Sequence, residues 1–185
     1  VVIEIEIVQE VVVTATPSPT STPSPTPEAG NSRLSPADIG TGLFAEVDNS
    51  TGLFALRIFL FEIIRGAQAW DRIQDASSYN EPPDPGYEYI LARVRLEYLT
   101  GPAEDTVYKA SKRGFTAVSP DGREYGFDYL SVLYPPELSF DATLYPGASN
   151  QGWLVFQVTE HDTNPVMTYG RDYLGRGGLW WKLYV

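Results

Sequence analysis

Few residues in this chain could do acid–base or nucleophilic chemistry. The single histidine, His161, stands in Glu160-His161-Asp162 within a polar stretch that follows an apolar one. A Ser–His–Asp triad needs a serine held against an oriented base, and no nucleophile-elbow motif accompanies His161. We therefore predict that His161 is a solvated loop residue and that the chain contains no catalytic residue.

The sequence also gives little indication of a metal-binding or cofactor-binding site. The chain has no cysteine, which excludes disulfides, thiol catalysis, thiolate zinc sites and iron–sulfur clusters. Calcium needs clustered oxygen ligands, and Asp84, Glu88, Asp121 and Asp128 lack the spacing of an EF-hand loop. The pattern gives only weak support for a calcium site, and we predict no metal and no cofactor.

Exposed aromatic side chains could bind a ligand or a partner through stacking contacts. Trp70 and Trp153 stand at positions that we expect to face the core. Trp180 and Trp181 are neighbours in the predicted strand 179–185, so they must point to opposite faces. One should face the core and the other outward, where it packs under a loop, stacks on a sugar or enters a protein interface. Trp180 and Trp181 are therefore candidate residues for an exposed aromatic contact with a glycan or a surface.

The net charge restricts the partners. Asp and Glu number 24 against 13 Lys and Arg, which gives a formal net charge of −11. An acidic chain repels the phosphate backbone, so we predict no nucleic-acid partner. No apolar run reaches the roughly eighteen residues of a membrane span, and we predict no membrane span.

Residues 1–16 alternate with period two. The apolar face contains Val1, Ile3, Ile5, Ile7, Val11 and Val13, and Glu4, Glu6 and Glu10 lie on the opposite face. This pattern and the β-branched residues predict an amphipathic β-strand. An isolated strand is not stable in water and must join a sheet. We expect it to be disordered, to fold back onto its own domain, or to join the sheet of another copy.

A Pro/Thr/Ser-rich spacer, residues 17–30, separates this strand from the rest of the chain. Residues 17–27 contain five prolines, a density that excludes helix and sheet and favours extended polyproline II. Eleven such residues span roughly 34 Å. A disordered, O-glycosylated stalk is an equally good interpretation of the composition.

Residues 31–185 read as one domain of many short strands separated by Pro and Gly turns. Residues 87–99 alternate most clearly, with Ile90, Ala92, Val94, Leu96 and Tyr98 on one face. A short helical segment, with Ala67, Trp70, Ile73 and Ala76 spaced by three, precedes them. The other predicted strands are 43–47, 53–64, 115–119, 124–128, 152–158, 166–169 and 179–185. Such spacing is typical of an all-β antiparallel sandwich.

The turn and core residues of this region also carry a family resemblance. They are Gly66, Ala69-Trp70, Ile73, Asn80, Pro83, Gly86-Tyr87-Glu88-Tyr89, Leu144, Pro146-Gly147, Gly152 and Leu154-Val155-Phe156. Over about residues 33–185 the chain resembles bacterial extracytoplasmic domains of unknown function, which are similar to a secreted immunoprotective antigen. The resemblance implies an immunoglobulin-like β-sandwich behind a Thr/Pro-rich linker. It implies no catalytic residue, and residues 1–16 lie outside it.

Three functional hypotheses follow. The first is a secreted structural subunit that forms an extracellular, pilus-like filament with other copies of itself, each donating residues 1–16 as a strand to its neighbour. The second is a cell-surface binding or accessory module on a Pro-rich stalk. The third and weakest is a hydrolase, because the sequence shows no convergent catalytic site. In each case we expect the protein at the cell surface or outside the cell, with its signal peptide absent from this sequence.

Overall fold

The described part of the chain is built almost entirely from β-strands. The computed structural model describes residues 28–126, 139–172 and 174–185. The predicted strand 1–16, spacer residues 17–27 and the end of predicted strand 124–128 lie outside the described residues. The strands are β1 (Gly42–Asn49), β2 (Gly52–Arg65), β3 (Tyr87–Thr100), β4 (Tyr108–Ala110), β5 (Phe115–Val118), β6 (Glu124–Tyr125), β7 (Ala142–Leu144), β8 (Ser149–Thr159), β9 (Val166–Arg171) and β10 (Gly177–Lys182). Helix α1 (Ala67–Ala76) follows β2, and a 3-10 helix (Lys112–Gly114) precedes β5.

Eight of these strands form two antiparallel sheets. The first sheet has the order β1-β2-β3-β8 and the second the order β10-β9-β5-β6, while β4 and β7 pair with each other. Side chains from both sheets meet in one apolar core. The prediction of an all-β, immunoglobulin-like antiparallel sandwich with one short helix is confirmed.

Strand β3 lies at the centre of the first sheet and confirms the register prediction. Its predicted inner row is fully buried: Ile90, Ala92, Val94, Leu96 and Tyr98 are each 0% exposed. Arg93 and Arg95 point to the other face and form ion pairs with Glu62 and Glu97. Because burying one large apolar side chain stabilises a fold by about 1.5–3 kcal/mol, a slip of one residue would lose most of this row and bury the arginines.

Helix α1 covers part of the outer face of the first sheet. It buries Ala69 and Ile73, four residues apart, and leaves Ala67 exposed. The predicted three-residue spacing is correct at the buried Ile73 and wrong at the exposed Ala67, while Trp70 and Ala76 are half-buried; Ala69 takes the place of Ala67 because residues i and i+4 share a helix face. Trp153 is buried as expected, but it lies under α1 with Ile73 rather than between the two sheets. None of the described helices is long and apolar enough to cross a lipid bilayer.

Irregular segments cover two of the sheet edges. The backbone N–H of Ala37 donates to the Trp180 carbonyl oxygen at 2.8 Å, and Trp180 N–H donates to the Gly30 carbonyl oxygen at 2.8 Å, beside β10. At β8, a Cβ on Gly152 would lie 2.6 Å from the backbone of Phe140. Glycine at 152 therefore allows the segment around Phe140 to approach the edge of β8.

The buried tyrosines make the fold sensitive to alkaline pH. The hydroxyls of Tyr108 and Tyr169 share a hydrogen bond in the core, and burial raises the pKa of both above the usual tyrosine value. The folded state therefore holds these two hydroxyl protons more tightly than the unfolded state does. The resulting contribution to the free energy of unfolding is complete below about pH 10 and is lost as the pH rises above it. Each such tyrosine should lower the free energy of unfolding by about 1.4 kcal/mol per pH unit there. We expect the urea midpoint to fall steeply above about pH 10 and to fall less steeply in Tyr169→Phe; an unchanged midpoint at about pH 11 would contradict this.

Candidate functional site

Both tryptophans proposed as an exposed contact are buried. They point to opposite faces of the second sheet, as adjacency on a strand requires. Trp181 lies between the sheets, 0% exposed, and its Nε1 donates to the Thr41 carbonyl oxygen at 3.2 Å. Trp180 lies on the outer face but is only 6% exposed, and the Arg171 guanidinium carbon is 5.7 Å from its ring centroid. The prediction of an exposed aromatic contact at Trp180 or Trp181 is wrong, because Arg171 packs over the outward ring.

The His161 region does not assemble a catalytic group. His161 is exposed, as predicted, whereas Asp162 is buried. Asp162 accepts a hydrogen bond from the Tyr125 hydroxyl at 2.5 Å and another from the Asn164 backbone N–H at 3.0 Å. Burial and the bond to Asp162 raise the pKa of Tyr125. The carboxylate therefore fixes the loop between β8 and β9, and among the described residues no hydrogen bond joins it to His161.

Acidic residues that could ligate a cation are held by other contacts. Asp84 Oδ2 accepts a hydrogen bond from Gln157 Nε2 at 2.7 Å, and Glu88 pairs with Arg65 at 2.6 Å. Within residues 28–126, 139–172 and 174–185, no three His, Asp or Glu side chains are grouped to hold a metal ion. Asp128 and the predicted assembly residues Val1, Ile3, Ile5, Ile7, Val11 and Val13 lie outside these ranges.

Among the strands of residues 28–126, 139–172 and 174–185, β1 is an open edge of the first sheet. It pairs with β2 along its full length, from Gly42 opposite Phe59 to Asn49 opposite Gly52. On its other side it makes no backbone hydrogen bond to any described residue. This differs from β8 and β10, whose edges are each met by an irregular segment. The unpaired N–H and C=O groups of such an edge can pair with another strand.

The inward row of β1 is incompletely buried. Leu43, Ala45 and Val47 pack against the core but remain partly exposed. On the adjoining strand β2, by contrast, the inward residues Phe54 and Leu56 are at most 1% exposed. Burial falls at β1 because no described strand lies beyond it. Within the described part of the chain, the core is therefore left partly uncovered along the side of β1.

The outer face beside this edge carries exposed aromatic rings and an arginine. Phe44 is 67% exposed, and the Arg57 guanidinium carbon lies 5.7 Å from its ring centroid and 5.1 Å from that of Phe59. Phe59 stacks on Phe61 with 5.5 Å between centroids. We call Phe44, Arg57, Phe59 and Phe61 the aromatic–arginine face. Aromatic residues and arginine are enriched at protein interfaces, so this face has the composition of a contact surface.

The comparisons with known proteins identify a fold. No protein-family model matches the chain, and no curated protein matches its sequence. The structure is similar to that of MPT63, a secreted protein from Mycobacterium tuberculosis, with a TM-score of 0.54 and 16% identity over 86% of this chain and 99% of that one. Weaker likenesses are to ycdA, a putative lipoprotein of Bacillus subtilis (TM-score 0.45, 14% identity, 75% of this chain and 37% of that one), and to the yjhA protein of Bacillus subtilis (0.42, 9%, 71% and 78%).

These likenesses establish the fold alone. At 16% identity the similarity to MPT63 shows a shared architecture, and a fold by itself does not determine function. The two Bacillus likenesses are too weak to carry an argument. The chain therefore has the fold of a secreted protein, and its function must be argued from its own surfaces.

The sequence predicts strand β1 but does not predict its position at the edge of the first sheet. The predicted strand 43–47 lies within β1, yet edge position depends on the order of strands in the sheet. The available signal was Glu46 and Asp48, two acidic residues that are both exposed. Charged side chains of this kind commonly protect edge strands from unwanted pairing.

Proposed function

We propose that this chain is an extracellular structural subunit that forms a filament by donating residues 1–16 to strand β1 of a neighbouring copy. The proposed location is supported by the fold that the chain shares with a secreted mycobacterial protein. It is also supported by the Pro/Thr/Ser-rich stretch at residues 17–27, a composition typical of extracellular stalks.

The observation that carries the proposal is the open edge at β1. A strand added there would pair with the free backbone groups of Gly42–Asn49 and continue the first sheet by β-augmentation. Its inward row would cover Leu43, Ala45 and Val47, whose burial is incomplete. The six apolar residues of the donor face would contribute on the order of 10–20 kcal/mol gross, much of it offset by the cost of association and ordering.

The two faces of residues 1–16 match the two sides of this edge. With the isoleucines turned toward the core opening, Glu4, Glu6 and Glu10 fall on the outer side, in line with Phe44. There they stay in water and near the Arg57 guanidinium, which lies over the Phe44 ring. The same glutamates keep unpaired donor strands from aggregating before they dock.

The spacer favours donation to another copy. The 158 residues from 28 to 185 correspond to a domain about 40 Å across, and eleven residues of polyproline II span roughly 34 Å. A spacer extended in this way would carry the donor strand about one domain diameter from its own domain. A contact between two different patches, one donating and one receiving, grows as an open filament unless it closes into a ring.

Removal of residues 1–16 tests the proposal. The core is built from residues within 28–185, so the truncated chain should fold with the same near-UV circular dichroism as the parent. In sedimentation velocity the parent should form a concentration-dependent series of oligomers, and the truncated chain should be monomeric. Identical oligomers from both chains would show that assembly does not use the N-terminal strand.

A second candidate function is a binding module on a Pro-rich stalk. The aromatic–arginine face favours it, since Phe44 and Phe61 are 67% and 37% exposed beside Arg57. In that case residues 1–27 only extend the domain from a surface. Phe44→Ala would then abolish partner binding, and truncation of residues 1–16 would leave it intact.

A further inference from the structure

A cavity of about 400 Å³ lies at the first turn of α1, away from strand β1. It is lined by Trp70, Tyr87 and Pro83 and by two acidic residues, Glu88 and Glu160, together with Gly66 and Ala67. Tyr87 is the first residue of β3 and pairs with Thr159, the last residue of β8. Glu160 directly follows Thr159 and lies at the rim of the cavity. The cavity therefore joins the start of α1, the start of β3 and the end of β8.

The backbone conformation and hydrogen bonds of Gly66 hold the start of α1 beside the start of β3. Gly66 has φ 65°, its N–H donates to the Tyr89 carbonyl oxygen at 3.0 Å, and its carbonyl oxygen accepts from the Trp70 N–H at 3.0 Å. A Cβ at this position would lie 3.0 Å from Glu88 Oε2. The indole of Trp70 is supported from behind by Tyr89, with 6.2 Å between ring centroids. Glycine thus allows both the left-handed turn into α1 and the approach of the carboxylate.

The charge of the cavity is negative. Glu88 is 18% exposed and its Oε1 is paired with Arg65 at 2.6 Å, so its charge is largely balanced. Glu160 is exposed, and no ion pair joins it to a described residue. One carboxylate without an ion pair to a described residue therefore lies in the same cavity as Trp70 and Tyr87, although Arg65 lines an adjoining cavity with it, in a chain whose net charge is −11. The field of the whole protein adds to the local attraction for a cation.

We propose that this cavity binds an organic ammonium group. Aromatic faces attract a cation through the ring quadrupole, and tryptophan is the strongest of them. Trp70 and Tyr87 would contact the alkyl and ammonium surface, and Glu160 would supply the opposite charge. The half-buried Trp70 and the exposed Tyr87 favour a weakly hydrated organic cation over a metal ion, which prefers clustered oxygen ligands. This proposal does not depend on filament assembly.

Titration with choline chloride tests the site on the full chain. The indole N–H signals of the four tryptophans provide the readout by NMR, with sodium chloride used to hold ionic strength constant. We expect a saturable shift of the Trp70 signal and no shift from 3,3-dimethylbutanol, the neutral isostere of choline. A parallel titration with butylammonium chloride distinguishes a quaternary from a primary ammonium ligand. An equal shift with the neutral isostere would overturn the proposal.

Matched glutamate variants separate a local contact from general attraction. Glu160→Gln should weaken choline binding roughly fivefold, because it removes a charge at short range in a partly screened site. Glu104→Gln removes an equally exposed charge from the β3–β4 loop and should leave binding unchanged. Both glutamates are exposed, so neither variant should disturb folding. Equal weakening by the two variants, or none by Glu160→Gln, would show that the cavity is not the binding site.

Discussion

Replacing Trp181 with alanine should reduce the free energy of unfolding by about 3–5 kcal/mol, the usual cost of truncating a fully buried tryptophan. The side chain is 0% exposed and lies in the core cluster shared by both sheets. Its loss would leave a large cavity and would also leave the Thr41 carbonyl oxygen without the indole hydrogen bond of 3.2 Å. Since a domain of this size is stable by only about 5–15 kcal/mol, the variant should lose a large fraction of its stability and unfold at a clearly lower urea concentration than the parent. Urea unfolding followed by circular dichroism measures the change.

Tyr79→Ala is the control for this prediction. Tyr79 is 86% exposed, and it is its backbone N–H that donates a hydrogen bond to the Ser77 hydroxyl. Its replacement should therefore change the free energy of unfolding by less than about 0.5 kcal/mol. A similar loss in the two variants would mean that Trp181 does not pack between the sheets.

The second large effect concerns assembly rather than folding. Ile5→Asp should weaken subunit association by at least about 100-fold, because strand donation would bury an unpaired carboxylate at a cost of several kcal/mol. The melting temperature of the dissociated subunit should not change, since residue 5 does not contribute to the described core. Sedimentation velocity over a range of concentrations measures the association.

Glu6→Gln is the matched variant on the other face of the same segment. It keeps the shape of the side chain and removes only a charge that should remain in water, so association should change by less than about threefold. If Ile5→Asp and Glu6→Gln weakened association equally, the two faces of residues 1–16 would not be distinguished. The donated strand would then lack the predicted orientation.

The features that the sequence predicted well are those determined by local periodicity. In β3 five apolar residues recur at every second position from Ile90 to Tyr98, and all five are fully buried. The predicted strands 115–119 and 124–128 flank the Pro-Asp-Gly-Arg segment at 120–123, and Ser119 N–H donates to the Arg123 carbonyl oxygen at 2.8 Å to close the hairpin. In both cases residues close in sequence determine the structure.

The features that escaped prediction depend on contacts between distant segments. Trp180 is covered by Arg171, and nothing in the run 179–185 indicates that cover. Strands β4 and β7 are three residues each and pair across a long separation, so neither shows a detectable alternation. The open edge of β1 follows from the order of strands in the first sheet. Local periodicity gives the identity of a strand, but tertiary pairing decides its neighbours.

Disulfide trapping between subunits tests strand donation most directly. The chain has no cysteine, so each introduced thiol is unique. Ala45→Cys marks the inward row of β1, and Ile3→Cys, Ile5→Cys and Ile7→Cys are prepared as three separate donors to allow for register. Opposite residues on one face of paired strands have Cβ atoms about 4.5–5.5 Å apart, close enough for a disulfide after small adjustments.

The measurement is the yield of mixed disulfide after an Ala45→Cys subunit is combined with each donor and mildly oxidised. Phe44→Cys, on the outward row of the same strand, serves as the matched control. Strand donation predicts a mixed disulfide between Ala45→Cys and at least one donor, and much less with Phe44→Cys, because the isoleucines should face inward. Failure of all three donors to link to Ala45→Cys, or equal linkage to Phe44→Cys, would contradict donation of residues 1–16 to β1.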